Sequence, residues 1–194
     1  MLPPLEPSFY QQDILSIARA LLGQLLCRDT SAGLTAGMIV ETEAYLSKGD
    51  PACHAFCGKT DRNAPMFGPS GRAYVYFIYG SHYCFNVVTG RRGAGEAVLV
   101  RALEPLYGLD LMEQRRGKGK GRLHITGGPG KLCQALAIDG SFNSHDLRCP
   151  PLWIATGTEV GAGDVSSSPR IGISRAREKL LRFYIRDNSF VSRR

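Results

Sequence analysis

The sequence predicts a mixed α/β fold of the α+β kind, a single domain over residues 1–194 built on antiparallel sheet. Three observations support this. Aromatic and β-branched runs come in pairs joined by short turns, which is the pattern of hairpins. A clear helical periodicity lies near the N-terminus, in one amphipathic stretch. The length, 194 residues, suits one core that hides roughly 70% of the unfolded surface.

Taken in order, Ile14, Leu15, Ile17, Ala18, Leu21 and Leu22 recur at helical spacing within Gln11–Leu22, with Asp13 near the start and Gly23 as the stop. Gln24–Arg28 and Ala36–Tyr45 read as strands pairing across the turn-forming Asp29-Thr30-Ser31-Ala32-Gly33. Residues 47–72 are rich in Gly, Pro, Asp, Ser and Lys and lack periodicity, which predicts a long loop of the kind that carries function. Ala73–Tyr79 and His82–Val88 are joined by Gly80-Ser81, a link suited to a tight β-hairpin with Tyr79 at its tip. Ala97–Leu103 is a further strand, Leu106–Arg115 a helix, and Arg116–Arg122 a flexible basic loop. Lys131–Ala137 reads as a short helix opened by Gly128-Pro129-Gly130, and Leu152–Thr156 and Arg182–Ile185 as strands.

Lys and Arg outnumber Asp and Glu by 24 to 17, and the resulting net charge of +7 attracts polyanions. Nucleic acid is thereby favoured over a neutral sugar as partner, although the same charge can also serve plain solubility. No apolar run approaches the ~20 residues of a membrane span. The start, Met1-Leu2-Pro3-Pro4-Leu5-Glu6, lacks the order of a signal peptide. A cytoplasmic protein with no membrane partner is expected, and its six cysteines as reduced thiols.

Strand alternation along Ile39–Tyr45 places Glu41, Glu43 and Tyr45 on one face and Val40, Thr42 and Ala44 on the other. Two carboxylates in so apolar a strand point to catalysis or to a buried ion pair. Arg101, which interrupts the core-like run Val98–Leu103, could supply the cation, or could stand exposed near the strand end. Four tyrosines between Tyr74 and Tyr83 are either packing residues or platforms on which bases stack. Cys53-His54-Ala55-Phe56-Cys57 lacks the second ligand pair of a structural zinc site, so no metal is expected. Thr126-Gly127-Gly128-Pro129-Gly130-Lys131 is not a complete nucleotide-binding loop, yet Lys131 could meet a DNA phosphate, as could Arg116, Lys118 and Lys120.

Ile39–Tyr45, Ala73–Gly80, Val100–Pro105 and Gly128–Leu136 together resemble the alkyladenine (3-methyladenine, methylpurine) DNA glycosylase family, in order and from about residue 9 to residue 191. The resemblance implies a curved antiparallel β-sheet with surrounding helices and a protruding β-hairpin. It also implies a monomeric, monofunctional enzyme that flips alkylated or deaminated purines out of double-stranded DNA and hydrolyses the N-glycosidic bond without cofactor. By motif position Glu43 would be the general base and Arg101 would orient it and the water, with the carbonyl of Ile171 a further water contact. Tyr45, His54 and Tyr76 would line the pocket, Tyr79 would fill the gap left by the flipped nucleotide, and Asn86 would clash with the amino group of guanine.

The segment Gly172–Glu178 departs from the Gly-Glu-Trp-Ala run of vertebrate members, and the short N-terminus suggests a bacterial protein. Two readings of other kinds stand beside this one. A noncatalytic nucleic-acid-binding module would not need Glu43. A carbohydrate glycosidase could use Glu41 and Glu43, whose Cα atoms lie about 6.6 Å apart on a strand, as an acid/base pair.

Overall fold

Among the described residues eight strands, most of them drawn together by alternating apolar residues, form one antiparallel sheet, which curls into a half-barrel in the computed structural model. The structure describes residues 2–117, 119 and 121–192. The strands are β1 (Leu25–Thr30), β2 (Gly33–Tyr45), β3 (Ala73–Ile78), β4 (His82–Thr89), β5 (Glu96–Tyr107), β6 (Leu152–Ala155), β7 (Val165–Ser168) and β8 (Arg182–Ile185). They lie in the order β3-β4-β5-β2-β1-β6. Because β1 pairs only with the first half of β2, the second half is open to β8, which β7 extends.

Alternation then sorts side chains between two jobs. Val75 of β3, Phe85 and Val87 of β4, and Val98 and Val100 of β5 turn into the main core. Their neighbours Tyr74, Tyr76, Cys84, Asn86, Leu99 and Arg101 turn the other way and line a cavity. The core is closed by α1 (Ile14–Ala20), α2 (Leu109–Arg116) and α3 (Pro129–Ala135), through Ile17, Met112 and Leu132 among others. Each large aliphatic so buried contributes about 1.5–3 kcal/mol. Among the described residues no helix is long and apolar enough to cross a membrane.

Helix α1 is shorter than its periodicity suggests, because the Asp13 carboxylate caps the N–H groups of Leu15 and Ser16, and the turn Pro7–Gln11 before it is a 3₁₀ helix. The link between β3 and β4 is one residue longer than expected. Ile78 pairs with His82, so Tyr79, Gly80 and Ser81 form the loop, with φ of 53° at Tyr79 and 61° at Gly80. Strand β5 runs on to Tyr107, and Arg116 ends helix α2 rather than beginning a loop. Strand β7, Val-Ser-Ser-Ser, shows no apolar alternation and forms because β8 offers it an edge.

The pairing of β2 with β5 shifts register around Glu41. Two successive residues therefore face the same way, as at a β-bulge. Val40 packs with Ala102 and Phe190, away from Ile39 and Ala44 in the main core. Thr42, which donates to the carbonyl of Ala18 in α1, also faces the main core. Simple alternation, which groups Val40 with Thr42 and Ala44, fails at this one step.

Candidate active site

The cavity has a volume of about 600 Å³ and opens between the β3–β4 hairpin, the loop around His54 and the segment 171–175. Behind its wall lies a chain of charges. Glu43 has no exposed surface, and its Oε1 accepts from the backbone N–H of Ile171 at 2.8 Å and lies 3.3 Å from Nη1 of Arg101. Its Oε2 accepts from the Tyr45 hydroxyl at 2.7 Å. Tyr45, Arg101 and Ile171 all reach the cavity surface, so the carboxylate stands one layer behind it.

Arg101 is shared. Its Nε donates to Oε1 of Glu41 at 3.2 Å, and it is buried against two carboxylates rather than exposed at a strand end. Glu41 is locked on every side. Arg182 Nε lies 2.6 Å from its Oε1, while Ser192 donates its hydroxyl to Oε1 at 3.0 Å and its N–H to Oε2 at 2.8 Å. Buried carboxylates are tolerated because each has a cation and further donors.

The pocket walls are aromatic. The rings of His54 and Tyr76 lie 4.7 Å apart, and those of Tyr74 and Tyr76 5.1 Å apart. Burial, then the Arg62 guanidinium, pushes the His54 pKa down, which keeps the imidazole neutral at pH 7. Its Nδ1 lies 3.0 Å from the Tyr74 hydroxyl, and Asn63 holds its carbonyl at 2.8 Å. Burial, then the Glu43 charge, raises the Tyr45 phenol, so it keeps the proton it donates. Burial likewise raises Tyr76, with Cys84 second. The Asn86 amide nitrogen donates to the carbonyl of Tyr74 at 3.0 Å, which fixes its orientation at the cavity wall.

Tyr79 is 78% exposed at the hairpin tip. A Cβ on Gly80 would meet nothing within 4 Å, so the tip projects freely. Just below the tip the hairpin meets α3: Gly130 lies so close to His82, the first residue of β4, that a Cβ there would come within 2.5 Å of the ring. Lys131 sits beside it, half-buried in the first turn of α3. Arg116 is half-buried and donates to Gln134 of α3. Lys118 and Lys120 lie outside the described residues.

Two residues that sequence reasoning passed over complete the site. Asp50 and Arg170 form a fully buried, two-pronged ion pair, at 2.7 and 2.6 Å, and the guanidinium lies 4.5 Å over the Tyr45 ring. The available signal was an Asp in a Gly-rich loop and an Arg beside the matched Ile171, 120 residues apart and too weak singly. Cys53 is buried, with its thiol near the Gly95 carbonyl, while Cys57 is exposed. Among the described residues no three His, Cys, Asp or Glu side chains are grouped to hold a metal ion.

Comparison with known proteins places this geometry in context. The profile of the methylpurine-DNA glycosylase family matches residues 8–189. A provisionally named 3-methyladenine DNA glycosylase of Carboxydothermus hydrogenoformans is 50% identical over 187 residues, covering 96% of this chain and 97% of that protein. One of the same provisional name from Methanoculleus marisnigri is 51% identical over 193 residues, covering 98% and 99%. A third, from Agrobacterium fabrum, is 47% identical, covering 99% and 94%.

Proposed function

The chain belongs to the methylpurine-DNA glycosylase family, and on that premise we propose that it is a monofunctional hydrolase excising damaged purines from duplex DNA. The observation that carries the reading is Glu43, a carboxylate caged one layer behind the wall of an aromatic cavity that the exposed Tyr79 also lines. Alkylated or deaminated purine nucleotides rotate out of the helix, and Tyr79 enters the gap. The extruded base stacks among Tyr45, His54 and Tyr76, and guanine is refused because its 2-amino group meets Asn86.

Departure of the base leaves a sugar with oxocarbenium character, which a nearby carboxylate stabilises. Water, oriented by Arg101 and the Ile171 carbonyl, bonds to C1′ and loses a proton to Glu43, while the C1′–N bond breaks and its electron pair leaves with the purine. A base already made cationic by alkylation departs neutral. Hypoxanthine or ethenoadenine must gain a proton as it leaves. The balance needs only water, with no metal, cofactor or covalent enzyme intermediate. Glu43 lies just behind the wall, with Tyr45, Arg101 and Ile171 between it and the cavity.

The protein acts as a monomer in the cytoplasm, and the positive charges of Lys131, Arg116, Lys118 and Lys120 would attract the DNA phosphates. A carbohydrate glycosidase would need Glu41 free to exchange protons, whereas two arginines and Ser192 occupy it. A noncatalytic module gives the Glu43 cage no purpose. The test is incubation of duplexes carrying 3-methyladenine, hypoxanthine or ethenoadenine, with chelator present, followed by detection of abasic sites. Intact glycosidic bonds across the whole panel would remove the proposal.

A further inference from the structure

Three walls of the site meet at one ion pair. Asp50 begins the loop carrying His54, accepting from Leu46 N–H at 3.2 Å and from Ala52 N–H at 3.4 Å. Arg170 precedes Ile171 and donates to the Ala44 carbonyl at 2.9 Å, between Glu43 and Tyr45. Its guanidinium covers the face of Tyr45, the ring whose hydroxyl holds Glu43 Oε2. One side-chain pair thus joins the end of β2, the His54 loop and the strap whose N–H holds Glu43 Oε1. Neither side chain reaches solvent, and neither touches the cavity surface.

We infer that the Asp50–Arg170 pair is a clasp of positioning residues, which sets the distance between the strap at Ile171 and the Glu43 carboxylate and so governs the rate of bond cleavage rather than DNA affinity. The inference rests on the reading of Glu43 as the base. The geometry selects arginine, because a planar fork can hold both oxygens of Asp50, the Ala44 carbonyl and the Tyr45 face together, while an ammonium is a single point. A side chain adjacent to the reacting carboxylate through one peptide unit moves it by ångström-scale shifts, and such shifts are costly to a preorganised reaction.

The test uses Arg170→Lys, which keeps the charge, and the double variant Asp50→Asn with Arg170→Gln, which removes both charges so that neither is left buried alone. Single-turnover release of 3-methyladenine from methylated duplex, the dissociation constant for lesion duplex and thermal unfolding are measured for each. The expected result is folded protein with unchanged affinity and cleavage slowed about ten- to a hundredfold. The same substitutions placed on Glu43→Gln should slow the residual reaction no further, since the clasp acts through that carboxylate. Full cleavage rates in folded variants, an equal further loss on Glu43→Gln, or failure of both variants to fold would each overturn the clasp. Wild-type cleavage by Glu43→Gln alone would instead overturn the function on which it rests.

Discussion

Ile171 donates its backbone N–H to the Glu43 carboxylate at 2.8 Å across 128 residues of chain. A main-chain donor cannot be removed by changing its side chain, so this contact depends on where the strap lies. The Tyr45 hydroxyl and Arg101 complete the cage from β2 and β5. The site is therefore a junction of segments distant in sequence.

Glu43→Gln should keep the shape of the side chain while losing the charge that takes up a proton. We expect lesion duplex to bind with wild-type affinity and single-turnover excision to fall about 10²–10⁴-fold. Undiminished excision would show that Glu43 does not activate water.

Tyr79→Ser removes a ring that is 78% exposed and lies 6.0 Å from the His82 ring, centroid to centroid. Unfolding free energy should stay within about 0.5 kcal/mol of wild type. Extrusion of the lesion, followed by a fluorescent base analogue, should weaken together with excision. A loss of a few kcal/mol, as for a core truncation, would make Tyr79 a packing residue instead.

Arg101→Met strips Glu43 of a cation and leaves Glu41 with Arg182 and Ser192. A buried charge without its partner destabilises by about 3–5 kcal/mol, readable by urea unfolding at pH 7. A change below about 1 kcal/mol would mean that the pair is worth no more than an exposed one.

Asp146 tests the acid side of stability. Hydrogen bonds from the Arg148 side chain, chiefly, hold its pKa down at about 2. A carboxylate with a depressed folded-state value stabilises above its unfolded value of about 3.9, and that contribution is lost as pH falls toward 2. The gap in urea midpoint between wild type and Asp146→Asn should accordingly be constant from pH 7 to pH 5 and close below about pH 4. A gap unchanged at pH 2.5 would contradict the assignment.

Much of this architecture was legible in the chain. A strand repeats every two residues, so the runs Ala73–Tyr79 and His82–Val88 announced the hairpin, whose strands the structure sets at Ala73–Ile78 and His82–Thr89. The cost of burying a guanidinium announced Arg101 as a partner for carboxylate. The family motifs pointed to Glu43, Tyr45 and Tyr79, and the structure brings Tyr45 and Tyr79 to one cavity with Glu43 just behind its wall.

Local pattern thus determined the strands, the hairpin tip and the family, because each depends on residues within a few positions of one another. Only the tertiary structure decided that Val40 leaves its expected face, that β7 exists, and that Glu41 is bound by Arg182 and Ser192 from 141 and 151 residues away. It also decided that Asp50 and Arg170 meet as a buried ion pair beside Tyr45. The physical reason is common to these cases. Which cation answers a buried carboxylate, and which edge receives a polar strand, are settled by loop closure and packing over the whole chain, and periodicity carries no record of either.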